Sequence, residues 1–220
     1  MYKTESPKRS RRSAGYLFRR TLEWAAERFL LSWSTLCLRL KCLLLGLQCG
    51  RGVKAYGRII LRSPGAGIEI GDDVILVSSS WRCSSAGLAH PVRLRTFSPE
   101  ARIIIESGVG LNGTSITARS RTVRIGRGAM IGPDCLIMDS DFHSVWPPES
   151  RNDCDESLDG EVTIGENVWL GARCMVLKGV IIGENSVVAA GSVVTKSMPP
   201  NVLVAGNPAR IIRHLGTSDK

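Results

Sequence analysis

Apolar residues recur at every sixth position over the last third of the chain: Ile164, Leu170, Val176, Ile182, Val188 and Val194. The position four beyond each is compact (Val168, Cys174, Val180, Ser186, Ser192), with Met198 the larger exception. Gly or Ala often follows the leading residue, as at Gly165, Gly171, Gly183 and Ala189. A period of six does not fit an α-helical stripe, which repeats about every 3.6 residues. It fits a short strand and a tight turn, each unit stacked on an equivalent one, and hexapeptide repeats of this kind mark parallel β-helices. The leading aliphatic and the residue four later are expected to point inward. Turns such as Gly165-Glu166-Asn167 and Gly183-Glu184-Asn185 are expected to face water and to take positive φ.

The same texture begins at Ile68. Ile70, Val74 and Leu76 align with Ile105, Val109, Leu111, Ser115 and Thr117, and then with Ile125, Ala129, Ile131, Cys135 and Ile137. The register breaks at informative places. Thr117 to Ile125 is a step of eight, which leaves two extra residues near Arg119–Arg121. Ile137 to Ile164 is a step of 27, so a loop over 138–163 leaves the coil. The stretch 77–102 also interrupts the repeat. Long excursions from a compact repeat domain are functional or disordered as a rule.

Upstream the pattern is different. Residues 21–48 read as an amphipathic α-helix rich in Leu, Trp and Phe, interrupted by Glu23, Glu27, Arg28, Arg39 and Lys41, with Gly46 and Gly50 marking its exit. Its longest uncharged run, Phe29 to Leu38, is short of the roughly 20 residues needed to span a bilayer. The predicted organisation is a basic, flexible segment over 1–20, the amphipathic helix over 21–50, a β-helix over 51–213 and a tail over 214–220.

Charge sharpens this division. Residues 1–62 hold 14 Lys/Arg against 3 Asp/Glu, and the remainder hold 15 against 17, so the basic character belongs to the N-terminal segment. That distribution, with no RNP-like, zinc-finger or helix-turn-helix pattern, argues against nucleic acid as a partner. Two readings of the helix stay open: packing on the main domain or a neighbouring subunit, or lying on an anionic membrane surface. The seven cysteines are odd in number, form no C-x-x-C pair, and several fall at apolar repeat positions, which reads as reduced, buried thiol in a cytosolic chain.

His143 is the strongest catalytic candidate. It lies just inside the 138–163 excursion, anchored by the preceding coil, and an imidazole can take a proton from a hydroxyl at neutral pH. Asp139 and Asp141 precede it, and a nearby carboxylate could orient the ring. The histidines are too widely spaced for a metal site. There is no phosphate-binding loop, dinucleotide fingerprint or G-x-S-x-G elbow. The acidic run Asp153, Asp155, Glu156, Asp159 and Glu161 reads as a solvated loop face.

The segment 162–213, and above all its step VVTKSMPPN and its tail AGNPARIIR, resembles the C-terminal half of the hexapeptide-repeat O-acetyltransferases. GLAHPVRLRT, in the 77–102 interruption, is similar to the polysaccharide and lipopolysaccharide branch of that family. The resemblance covers about 68–213. It implies an all-β, left-handed parallel β-helix, a homotrimer, and acetyl-CoA as co-substrate in the cleft between subunits, with direct transfer to a carbohydrate acceptor and no metal.

Carried over residue by residue, the resemblance makes His143 the general base. It places Asn112 beside the acceptor; Asp141, two residues before His143, and His90, as a second polar group, are acceptor-binding candidates read from their positions in the chain. Trp169, Ala172, Ala190, Thr195 and Lys196 fall on the coenzyme path, and Arg210 and Arg213 near its phosphates. Where the galactoside enzymes carry an acceptor-binding Asp this chain reads ARSRT, with Ser120 about there, so the resemblance does not extend to galactoside or maltose specificity. The expected activity is acetyl transfer to a sugar hydroxyl of a surface polysaccharide, lipopolysaccharide or lipid-linked precursor. The expected location is the cytoplasm, and the inner face of the cytoplasmic membrane under the reading in which the helix lies on a membrane surface. An N-acetyltransferase or other acyl-CoA transferase on the same fold, and a non-enzymatic trimeric scaffold, are the alternatives.

Overall fold

A six-residue unit cannot bury its own apolar face, so such units are stable only when stacked. The computed structural model describes residues 14–83, 87–153 and 155–216. Lys3, Lys8, Arg9, Arg11, Arg12, Cys154 and the end of the tail lie outside the described residues. The chain runs repeatedly from a first sheet of six strands to a second of eight and a third of six, and the strands within each sheet are parallel until the final hairpin. Three hexapeptides make one turn, so Thr163 and Ile164 pair with Ile181 and Ile182 directly beneath them. The coil is a left-handed parallel β-helix, against the right-handed rule that governs longer crossovers.

Both inward positions of the repeat fill the core. Ile164, Val168, Leu170, Cys174, Val176, Val180, Ile182, Ser186, Val188 and Val194 are fully buried. The middle coils differ from expectation at one place: Ile116 and Ala118, rather than Thr117, fill the interior. The step from Leu111 to Ile116 is five, because the corner at Gly113 (φ 52°) is one residue short. The interruption over 77–102 is also smaller than its sequence suggests, since Arg93–Thr96 is a strand of the third sheet.

The turns take positive φ as expected. Positive φ falls on Asn167 and Asn185, at 55° and 58°, two residues after the glycines. Their amides stack, Asn167 Nδ2 donating to Asn185 Oδ1 (3.3 Å) and Asn185 Nδ2 to Asn201 Oδ1 (3.2 Å). The glycines serve close approach instead: a Cβ on Gly183 would lie 2.3 Å from the Pro200 nitrogen. Gly183→Ala is therefore expected to cost about 1–3 kcal/mol through overpacking, measurable as a lower denaturation midpoint with an unchanged m-value.

The helix, α1, spans Ala14–Leu44, starting and ending earlier than the 21–50 expected. Gly46 at φ 64° and the bond from Leu47 N to Cys42 O (2.8 Å) turn the chain out of it, and the first coil begins at Gln48–Cys49. Ser34, Leu38 and Cys42 are buried against that coil. An open sheet end presents unpaired backbone groups, and α1 satisfies several of them. Thr35 Oγ1 accepts from Ala55 N (3.1 Å), Ser34 Oγ accepts from Gly57 N (3.0 Å), and Lys41 Nζ donates to Ile59 O (2.8 Å). The opposite end closes with the antiparallel hairpin of Val202–Gly206 and Ala209–His214. The cysteines among the described residues are free thiols.

Candidate active site

The two register breaks seen in the sequence are one structure. The long loop leaves the third sheet after Met138 and rejoins the first sheet at Val162. At its start Asp139 is fully buried, and its carboxylate accepts the backbone N–H groups of Arg119 (2.7 Å), Ser120 (3.1 Å) and Arg121 (2.8 Å). Those three donors are the insertion one coil earlier, one residue longer than expected because Ile116 holds the inward position and the step to Ile125 is nine. At the loop's end, Asp159 Oδ2 accepts from Arg119 Nε (2.7 Å) and Ser120 Oγ (2.6 Å), while Arg119 Nη2 reaches Asp155 O (2.6 Å).

The two carboxyls titrate in opposite directions. Burial pushes Asp139 above the ordinary carboxylate range despite its three N–H donors. Burial also acts to raise Asp159, but the bonds from Arg119, Ser120 and Ser140 outweigh it and hold that carboxyl low. The acidic run is thus not uniformly a solvated face, because Asp159 is buried and paired while Asp153, Asp155 and Glu156 are exposed.

His143 projects from this clamped loop. Phe142 takes a left-handed turn at φ 63°, and its N–H donates to Ser140 Oγ at 2.9 Å. The His143 Nδ1 lies 2.8 Å from the Arg151 carbonyl oxygen. A carbonyl only accepts, so Nδ1 carries the hydrogen and Nε2 keeps its lone pair. The ring is therefore oriented by a backbone carbonyl and not by a neighbouring carboxylate. Asp139 is committed to the insertion, and Asp141 is paired with Lys178 Nζ at 2.7 Å. His143, Asp141, Trp146, Lys178, Arg119 and Asp155 are among the residues lining a cavity of about 340 Å³. Thr195 and Lys196 are exposed on the same edge of the prism, where the chain passes from the third sheet towards the first.

The remaining candidates lie elsewhere on the chain. Asn112 ends a second-sheet strand, with Nδ2 donating to Ile131 O at 3.1 Å. His90, whose Nδ1 sits 3.2 Å from Pro91 O, comes to that same corner, and its carbonyl oxygen would lie 2.8 Å from a Cβ on Gly113. Ala172 and Ala190 occupy that corner two and three coils further on. Trp169 is half exposed on the second sheet between Met130 and Val187. Arg210 and Arg213 stand exposed on the last strand, and Arg210 Nη1 donates to Ala209 O at 2.9 Å. One chain thus gathers His143, Asp141, Thr195 and Lys196 on one edge, and Asn112, His90, Ala172 and Ala190 on another. Sequence reasoning missed Lys178, Arg119 and the Arg151 carbonyl. The only signal was the step of eight, which flagged the place of Arg119 but not its partner. Among the described residues no cluster of His, Cys, Asp and Glu is placed to hold a metal ion.

Comparison with known proteins agrees with this architecture. Residues 161–196 match a family model described as the hexapeptide repeat of succinyl-transferase. A galactoside O-acetyltransferase of Escherichia coli strain K12 is 42% identical over 99 residues, which are 45% of this chain and 47% of that protein. The chain spans about half the length of the curated relatives it matches. Among solved structures, a galactoside acetyltransferase in complex with coenzyme A superposes with a TM-score of 0.50 at 28% identity, covering 77% of this chain and 66% of that one. The fold also matches AntD, an N-acyltransferase from Bacillus cereus in complex with dTDP and 3-hydroxybutyryl-CoA. There the TM-score is 0.59 at 18% identity, over 81% of this chain and 87% of that one.

Proposed function

We propose that this chain transfers an acetyl group from acetyl-CoA to a sugar hydroxyl, with His143 as general base. The observation that carries the reading is the bond from His143 Nδ1 to the Arg151 carbonyl, which leaves Nε2 free to accept a proton on a ring that lines a cavity. The named relatives supply the substrate classes, since one is a galactoside O-acetyltransferase and another acetyltransferase holds coenzyme A. In the proposed step Nε2 takes the hydroxyl proton as the oxygen attacks the thioester carbonyl. The tetrahedral adduct expels the sulfur, which recovers the proton from the imidazolium. Lys178 keeps the Asp141 carboxylate paired in the lining of the same cavity.

The two groups of candidates sit on different edges of the prism, so a complete site requires a second copy. A homotrimer, with the coenzyme between copies, meets that need. In this assembly Trp169, Ala172 and Ala190 would offer the coenzyme a flat wall, and Arg210, Arg213 and Lys196 would face its phosphates. The acceptor class is a polysaccharide, lipopolysaccharide or lipid-linked sugar, met at the cytoplasmic side of the membrane.

Incubation with acetyl-CoA and a panel of sugar and amino-sugar acceptors, followed by free thiol release and mass analysis of the product, tests the reading. An ester product with thiol release supports it. An amide product, or no affinity for acetyl-CoA by titration calorimetry, overturns it. Arg210→Glu is expected to weaken acetyl-CoA binding about tenfold, equivalent to about 1.4 kcal/mol, with the melting temperature unchanged.

A further inference from the structure

The helix α1 has two apolar faces, and only one is used by the fold. At about 100° per residue, Ser34, Leu38 and Cys42 form the face buried on the first coil. Leu22, Phe29, Trp33, Leu36, Leu40 and Leu43 fall in a second stripe about 80° wide on the opposite side. That stripe is open: Phe29 is 71% exposed, Trp33 58% and Leu43 76%. The Phe29 and Trp33 rings stack at 6.5 Å. No helix among the described residues is long and apolar enough to cross a membrane.

Where the stripe ends, a basic groove begins. Leu44 and Leu45 border a cavity of about 590 Å³ whose wall carries Arg62, Arg93 and Arg95 from the third sheet and Arg58 from the connection before it. No carboxylate lines it, and none of these four guanidiniums is ion-paired among the described residues. Apolar and aromatic side chains beside unpaired arginines match the layering of a bilayer surface, with acyl chains beneath anionic headgroups. The helix of a second copy is a poorer fit, since it would bring together two segments that each hold 14 Lys/Arg against 3 Asp/Glu over residues 1–62.

We propose that the open stripe of α1 and the arginine groove form one docking surface for an anionic lipid bilayer, the stripe entering the acyl boundary and the arginines holding headgroup phosphates. The surface leads towards the candidate catalytic loop, because the Arg95 guanidinium lies over the Phe97 ring at 3.9 Å and Phe97 meets Phe142 edge-on at 5.2 Å.

Co-sedimentation of the full chain with phosphatidylcholine vesicles, with and without phosphatidylglycerol, tests the proposal. Binding is expected only with the anionic lipid and to weaken steeply with salt. A charge near the surface contributes about fivefold, so replacing all four arginines by glutamine is expected to weaken binding by several hundredfold. Phe29→Ser with Trp33→Ser should abolish it at physiological salt. Circular dichroism and sedimentation velocity on the same variants report fold and assembly. Equal binding to neutral and anionic vesicles, no binding to either, or unchanged binding of the arginine variant overturns the proposal. So does a smaller assembly in the Phe29/Trp33 variant, which would show that another copy covers the stripe.

Discussion

Replacement of His143 by alanine is expected to lower acetyl transfer by about a thousandfold, within the range of general-base contributions, without changing acetyl-CoA affinity or thermal stability. The side chain is exposed, and its one described contact is the 2.8 Å bond to the Arg151 carbonyl, so the core loses nothing when it is removed. The effect should fall on kcat, because the imidazole acts on the proton that moves in the transition state and not on ground-state binding. His143→Gln gives a sharper comparison. Its amide can keep a bond to the carbonyl but cannot accept the hydroxyl proton as a base, so it should be as inactive as alanine. Retained turnover in both variants would remove His143 from the mechanism.

Arg119→Met is expected to cost about 3–5 kcal/mol, the range for stranding one partner of a buried ion pair. The methionine keeps the stem volume but leaves Asp159 without its 2.7 Å partner and the Asp155 carbonyl without its donor. A shift of roughly 10 °C in melting temperature follows for a chain of this size. Hydrogen exchange should locate the loss in the 139–160 loop, and kcat should fall while acetyl-CoA affinity holds. The effect has a pH signature. The Asp159 carboxyl is held low in the folded chain. Its stabilisation is therefore complete above the ordinary carboxylate value of about 3.9 and is lost as pH falls through the lower folded value. Asp139, raised by burial, acts in the opposite sense. The stability gap between wild type and Arg119→Met should thus close below about pH 4, and a gap that persists into strong acid would count against the ion pair as its origin.

The sequence determined the repeat and therefore the core. Six-residue spacing leaves only two inward positions per unit, and every leading aliphatic from Ile164 to Val194 is buried. It also placed the excursion that carries His143 to within two residues at each end, since a solenoid cannot insert residues inside a strand without losing register. Its first coil was legible but faint. Leu47, Val53 and Ile59 are spaced by six and buried, yet they adjoin a helix rich in the same apolar residues, which masks the change of period.

Only the tertiary structure decided what the interruptions do. The contacts between Asp139 and the backbone of 119–121, and between Arg119 and Asp159, join positions 18 to 40 residues apart that no local pattern relates. The carbonyl that orients His143 is a backbone group, invisible to any reading by residue type. The division of the candidate residues between two edges of the prism follows from winding: neighbours in space are one coil apart, while successive hexapeptides lie on different faces. Spacing thus fixed which side chains point inward, except after the short corner at Gly113, where Ile116 takes the place expected for Thr117. The packing of coil on coil decided which outward ones meet.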